Sequence, residues 1–211
     1  MTSWNKFIRK QNKIQTVGLV NRYGWELSLV VGKHDEKAYV EVLEFIVNYL
    51  VNSNVALRDE ETIVYKSWLV KVKKIETGLM EIWEAAPNGE GFQLGCDHLI
   101  KLSQHQTNFC KSYNVEPLFP GFGQKVVYSK GIYEGLPIEA VRYPSPNHMT
   151  GWYLTTEMYD NNTENLMLDH FFHFAFGRPE LLGLLSLPSG FRFFYSKEES
   201  EVWFDQAVLE E

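Results

Sequence analysis

The chain has 211 residues, 45% hydrophobic and 22% charged, with a formal net charge of −7 at pH 7. A chain of that length buries about 70% of its unfolded surface and needs no covalent staples, and two cysteines exclude a disulfide framework. The acidic balance argues against nucleic acid as a partner, and no apolar run reaches the ~20 residues of a membrane span.

The charge is unevenly placed. Residues 160–211 carry ten acids against three bases, so the whole excess lies in the final quarter while residues 1–159 balance. Aromatic residues make up 15%, with 6 Trp, 11 Tyr and 14 Phe, which predicts a β-rich core or apolar surface kept for a partner. The first thirteen residues lack the apolar centre of a signal peptide. Unpaired thiols fit a reducing setting, so a cytoplasmic protein is expected.

Residues 4–17, with Lys6, Arg9, Lys10 and Lys13, read as a basic tail or a frayed helix. Trp25, Leu27, Leu29 and Val31 recur at period two and predict a half-buried strand. Tyr39, Val42, Leu43, Ile46 and Leu50 then follow helical spacing, with Asp35 placed to cap the start and Asn52-Ser53-Asn54 the end. Residues 62–72 and 79–83 read as a hairpin turned at Glu76-Thr77-Gly78, where the glycine supplies a positive φ. The turn residues of 85–91 mark a soft internal boundary. A second helix is predicted over 97–113, ended by Asn114 and Pro117. Cys96 and Cys110 would lie on it about 21 Å apart, too far to bridge.

Short strands follow at 125–128, 138–143 and 151–156. Over 166–174 both alternating rows are partly apolar, which predicts a strand covered on both faces. Pro179 opens a short helix over 180–186, and residues 191–195 and 201–204 form a hairpin. The sum is an α+β fold, mainly antiparallel sheet with two longer helices and one short C-terminal helix. Three segments are expected, 1–86, 87–139 and 140–211, unless the chain is one continuous globular unit.

No catalytic constellation is legible. There is no Gly-x-Ser-x-Gly elbow. Gly121-Phe122-Gly123 lacks the third glycine and the setting of a dinucleotide fingerprint, and no Walker loop occurs. His170 and His173 invite a metal reading, but on a strand residues three apart face opposite ways, so neither a metal nor a cofactor is expected. His148 reads as a loop residue. Glu198 and Glu199 fall in an exposed turn, which suits solvated charge better than acid–base work. In Trp152-Tyr153 and Trp203-Phe204, one member of each pair faces the core and the other is available to anchor a partner.

One stretch carries a family resemblance. The run Val141-Arg142-Tyr143-Pro144-Ser145-Pro146-Asn147-His148-Met149-Thr150-Gly151-Trp152-Tyr153-Leu154-Thr155-Thr156 is its entry. It is followed by Asp169-His170, Arg178-Pro179-Glu180-Leu181, Leu187-Pro188-Ser189-Gly190-Phe191-Arg192-Phe193 and Val202-Trp203-Phe204-Asp205. Over about residues 140–206 this resembles a bacterial immunity-protein domain, the thirty-third of its series. The resemblance implies an intracellular protein that neutralises a cognate protein toxin. Its motifs are aromatic, Pro and Gly positions that specify a fold, and it brings no catalytic residues.

The reading is therefore a non-catalytic binding module that occludes a toxin, a basic one given the acidic final quarter. Its contact residues are taken as Asp160, Glu164, Glu198, Glu199, Glu201, Trp152 and Trp203, with neither nucleic acid nor membrane as partner. The alternative is an enzyme or small-molecule binder in which His148, His170, His173 and Arg178, with Asp205, converge on an unfamiliar site. The oligomeric state is left open.

Overall fold

The basic lead-in is a hairpin. In the computed structural model, which describes residues 6–53 and 57–210, β1 (Phe7–Lys10) pairs antiparallel with β2 (Lys13–Thr16). Gln11 takes φ 54° in the turn between them. Strands this short and basic carry too few apolar positions to reveal their period. Trp4, Asn5, Asn54 and Glu211, which also entered the sequence reading, lie outside the described residues.

The chain divides into two compact units, Met1–Ser103 and Gln104–Glu211. In the first, α1 (Val20–Tyr23) and β3 (Glu26–Val30) are followed by α2 (Glu36–Ser53), β4 (Thr62–Tyr65), β5 (Trp68–Glu76), β6 (Leu79–Ala85) and β7 (Phe92–Leu94). One sheet joins the strands in the order β1-β2-β3-β6-β5-β4, with β7 added at β6. β3 and β6 run parallel and the other neighbours antiparallel.

Leu27 and Leu29 of β3 are fully buried, as is the α2 row Tyr39, Val42, Leu43, Ile46 and Leu50. Each such Leu or Ile contributes about 1.5–3 kcal/mol, which holds the helix to β2, β3 and β4. The Asp35 carboxylate accepts from the Lys37 amide at 2.8 Å, the cap the sequence anticipated. β3 is not half-buried, because Glu26 and Ser28 are covered too. Glu26 accepts from the Thr16 hydroxyl at 2.7 Å and the Gly18 and Val20 amides at 2.7 and 3.1 Å, which closes the preceding turn over the strand.

The strand expected over 62–72 is two strands. Lys66 and Ser67 make a two-residue turn, with Lys66 at φ 52° and Tyr65 opposite Trp68. No glycine or asparagine marks it, so the usual hairpin signal is missing. Gly78 does take a positive φ, 78°, at the next turn. Glu84 accepts from the His98 and Leu99 amides at 3.0 and 2.7 Å and so caps α3 (Asp97–Ser112), where a carboxylate also meets the positive end of the helix. Cys96 stands one residue ahead of α3 and Cys110 within it, both buried free thiols.

The second unit adds β8 (Lys125–Tyr128), β9 (Ile138–Arg142), β10 (Met149–Thr155), β11 (Met167–His170), α4 (Phe171–Gly177), β12 (Phe191–Tyr195) and β13 (Ser200–Phe204). Their sheet runs β11-β8-β10-β9-β12-β13, with β8 and β10 parallel and the rest antiparallel. Both units thus carry the expected α+β class with mainly antiparallel sheet.

The alternating stretch is a strand only as far as His170 and then becomes α4. A row apolar on both sides also suits a short helix, and Phe171, Phe174 and Ala175 recur at helical spacing and are buried. The short helix expected after Pro179 is instead two 3-10 turns, Pro179–Leu181 and Leu184–Ser186. Among the described residues no helix is long and apolar enough to cross a membrane.

Candidate functional site

Period two sorts the second sheet into two faces. Ala140, Arg142, Trp152, Leu154 and Phe193 point inward and are buried. On the other face, Tyr153 stands opposite Val141, Val141 opposite Arg192, and Arg192 opposite Trp203, so one row crosses four strands. The next row holds Thr155, Glu139, Phe194 and Glu201.

A hollow of about 720 Å³ lies over this face. Val141, Tyr143, Tyr153 and Thr155 line it from the sheet side, Tyr159, Thr163 and Leu166 from the β10–β11 connection, and Leu209 and Glu210 from the end of the chain. Tyr143 and Tyr153 meet edge to face at 5.3 Å. A depression of about 100 Å³ continues the face towards Arg192 and Trp203. Tyrosines, a tryptophan and aliphatic groups offer stacking area and hydroxyl hydrogen bonds. Among the described residues lining the hollow, Glu210 is the single carboxylate.

The wall of the hollow is a tied loop. Asn162 caps the 3-10 turn Thr163–Asn165, its side chain accepting from the Glu164 amide at 3.1 Å. The Asp160 carboxylate accepts from the Asn162 amide at 3.0 Å and the Asn165 side chain at 2.7 Å. The Asn162 hydrogen bond, ahead of the other causes, holds its carboxyl below the ordinary carboxylate range, so the group stays ionised at neutral pH.

The residues singled out from sequence distribute as follows. Trp203 stands in the first row, 40% exposed, and Glu201 in the second. Asp160 and Glu164 flank the residues that wall the hollow, and Glu198 and Glu199 are exposed at the tip of the β12–β13 hairpin. Trp152 departs from the expectation of a contact residue: it is wholly buried, its indole donating to the Leu185 carbonyl at 2.8 Å. Tyr153 is the exposed member of that pair. Phe204 turns inward onto Phe191 at 5.4 Å, yet β13 is an edge strand and leaves it 49% exposed. Val141, Tyr143 and Tyr159 were missed, although the alternation of 138–142 already sets Glu139 and Val141 against Ala140 and Arg142.

In the alternative set, the side chains of Arg178 and Asp205 are committed elsewhere. Arg178 is buried, donating to Glu180 at 2.5 Å and to the Ile132 carbonyl. Asp205 pairs with Arg192 at 2.8 Å and accepts from the Ala207 amide at 3.1 Å. His148 is exposed before β10, its carbonyl accepting from the Lys125 amide at 3.0 Å. His170 and His173, by contrast, are brought together, against the strand argument, because the chain turns from β11 into α4 between them. With Asp169, their ligand atoms all lie within 4.8 Å of one another.

Comparison with known proteins bears on this unit alone. No curated protein and no solved structure matches the chain. Residues 105–205 match the model of the Imm33-like domain. The match opens well before the run at 141–156 and coincides almost end to end with the second unit, Gln104–Glu211. The unit that carries the open sheet face is therefore consistent with a domain of an immunity-protein family.

Proposed function

We propose that the protein is a cytoplasmic immunity protein that neutralises a cognate toxin by covering it, without catalysis of its own. The observation that carries this reading is the match of residues 105–205 to the Imm33-like domain. The open sheet face supports it. Tyr153 on β10 and Trp203 on β13 are aromatic anchors in one row of the sheet face, and the acids Asp160 and Glu164 of the β10–β11 connection and Glu198, Glu199 and Glu201 of the β12–β13 hairpin are all exposed. Aromatic anchors inside a polar rim are how tight interfaces gather their energy. Acids at the rim speed encounter with a basic toxin and disfavour nucleic acid and anionic membrane. On this reading the binding surface is drawn from residues 140–211.

A hollow of this size would admit a small molecule, but none of His148, His170, His173 and Arg178 lines it, so the enzyme reading loses its own residues there. The test is co-expression with the toxin encoded beside this chain. Restored growth and a stable complex on size exclusion are expected. A toxin that kills undiminished and does not co-elute removes the proposal.

A further inference from the structure

We propose that Asp169, His170 and His173 form a three-ligand site for a zinc-class divalent cation. The reading is independent of toxin binding and starts from the backbone. At a strand-to-helix junction, residues i, i+1 and i+4 crowd one corner, and here they are a carboxylate and two imidazoles. Their ligand atoms lie within 4.8 Å of one another, and no other group of three such ligands converges among the described residues. Nε2 of His173 stands 3.3 Å from Oδ1 of Asp169. Two ligands each about 2.0–2.1 Å from a tetrahedral zinc stand about 3.3–3.4 Å apart, so that edge is already set.

The surroundings orient these ligands. The Tyr133 hydroxyl donates to Oδ2 of Asp169 at 3.1 Å, leaving Oδ1 turned to the histidines. Tyr133 is itself fixed, 5.6 Å edge to face from Tyr128 and 5.2 Å from Phe174. An outer donor on a ligating carboxylate is a regular part of metal sites. The His170 ring stacks on Phe172 at 5.7 Å and 15°. Both histidines are exposed, so the fourth position of the tetrahedron opens to water, as in sites that exchange a ligand. Two imidazoles and a carboxylate suit zinc, cobalt and nickel rather than calcium or magnesium.

The test is titration of the untagged full chain with zinc, followed by competition with a chromophoric chelator. One equivalent should bind, and the cobalt adduct should show the intense visible bands of tetrahedral coordination. His170→Ala and His173→Ala should each weaken zinc by at least about tenfold, and Tyr133→Phe, a positioning change, by about tenfold. The exposed histidines make the first two safe for folding, which circular dichroism checks. No zinc uptake by the wild type overturns the proposal, as does uptake unchanged in both histidine variants.

Discussion

Arg142 and Trp152 face each other across β9 and β10, and both donate to one carbonyl, that of Leu185, the indole at 2.8 Å and the guanidinium Nη1 at 3.3 Å. The guanidinium also reaches the carbonyls of Thr150 at 2.8 Å, Leu118 at 2.7 Å and Leu187 at 2.5 Å, and lies 5.6 Å over the indole. Burial pushes its pKa down to about 10, so the group is charged at neutral pH and solvated by backbone. It ties the segment before β8 and the turns at 184–187 to the sheet, which gives the motif residues Arg142, Trp152 and Leu187 a structural reason. Arg142→Met would strand buried acceptors at about 1–3 kcal/mol apiece, so a loss of at least about 3 kcal/mol is expected in urea unfolding. Arg142→Lys should recover part of it, since a point charge replaces a fork. A methionine variant within about 0.5 kcal/mol of wild type would show that those carbonyls find other donors.

Gly151 makes a second motif position physical. Its φ is 82°, at the irregularity where β10 leaves register with β8, and an added Cβ would stand 2.3 Å from the Tyr143 carbonyl and 3.0 Å from the Ser145 hydroxyl. Left-handed backbone costs an ordinary residue about 1–2 kcal/mol, and the clash adds to that. Gly151→Ala should therefore cost at least about 2 kcal/mol, read as a lowered melting temperature. A melting curve that superimposes on wild type would mean the strand shifts freely there.

What the sequence made legible were features with a strong local signal. α2 has five apolar positions at helical spacing and its own cap, Asp35. The β12–β13 hairpin is flanked by aromatics and turned by charge. What stayed hidden depended on partners far along the chain or on atypical turns. Lys66 takes a positive φ without being glycine or asparagine. The stretch 166–174 satisfies a strand and a helix pattern equally until Phe171, and that ambiguity concealed the meeting of His170 with His173. Arg142 reads as an ordinary charged strand residue until its carbonyl partners, up to 45 residues away, are known. The exposed side of the second sheet was half legible: Trp203 does face outward, but Trp152 is the buried member of its pair and Tyr153 the exposed one, since a pair of adjacent aromatics does not say which one faces out.

Glu84 gives a pH signature in the first unit. Burial, ahead of every other cause, pushes its carboxyl above the ordinary range, while hydrogen bonds from the Gln93 side chain and the Leu99 and His98 amides pull it back. The folded pKa thus lies above the unfolded one. Between the unfolded value, about 4.3, and the folded value, the native chain holds more proton than the unfolded chain. This group's contribution to stability therefore falls as pH rises through that window. Glu84→Gln cannot titrate. In urea unfolding, the stability of wild type relative to this variant should rise as pH is lowered from 7 towards 5. A relative stability that falls over that range would place the carboxyl below its ordinary value.

The sheet face separates two kinds of aromatic residue. Trp152 is buried and Trp203 and Tyr153 are partly exposed, so their truncations should part company. Trp152→Ala removes a core ring and a hydrogen bond, and should cost about 3–5 kcal/mol of stability. Trp203→Ala and Tyr153→Ala should cost under about 1 kcal/mol, yet weaken toxin binding at least about tenfold, because exposed aromatic anchors carry interface energy. Reversing Glu198, Glu199 and Glu201 to lysine should act on a different quantity. Rim charge governs encounter, so association should slow and lose its salt dependence while dissociation barely changes. Surface plasmon resonance at two salt concentrations separates the two effects. If Trp203→Ala and Tyr153→Ala both bind with wild-type dissociation rates, the toxin rests on another face and the acids around this one serve solubility alone.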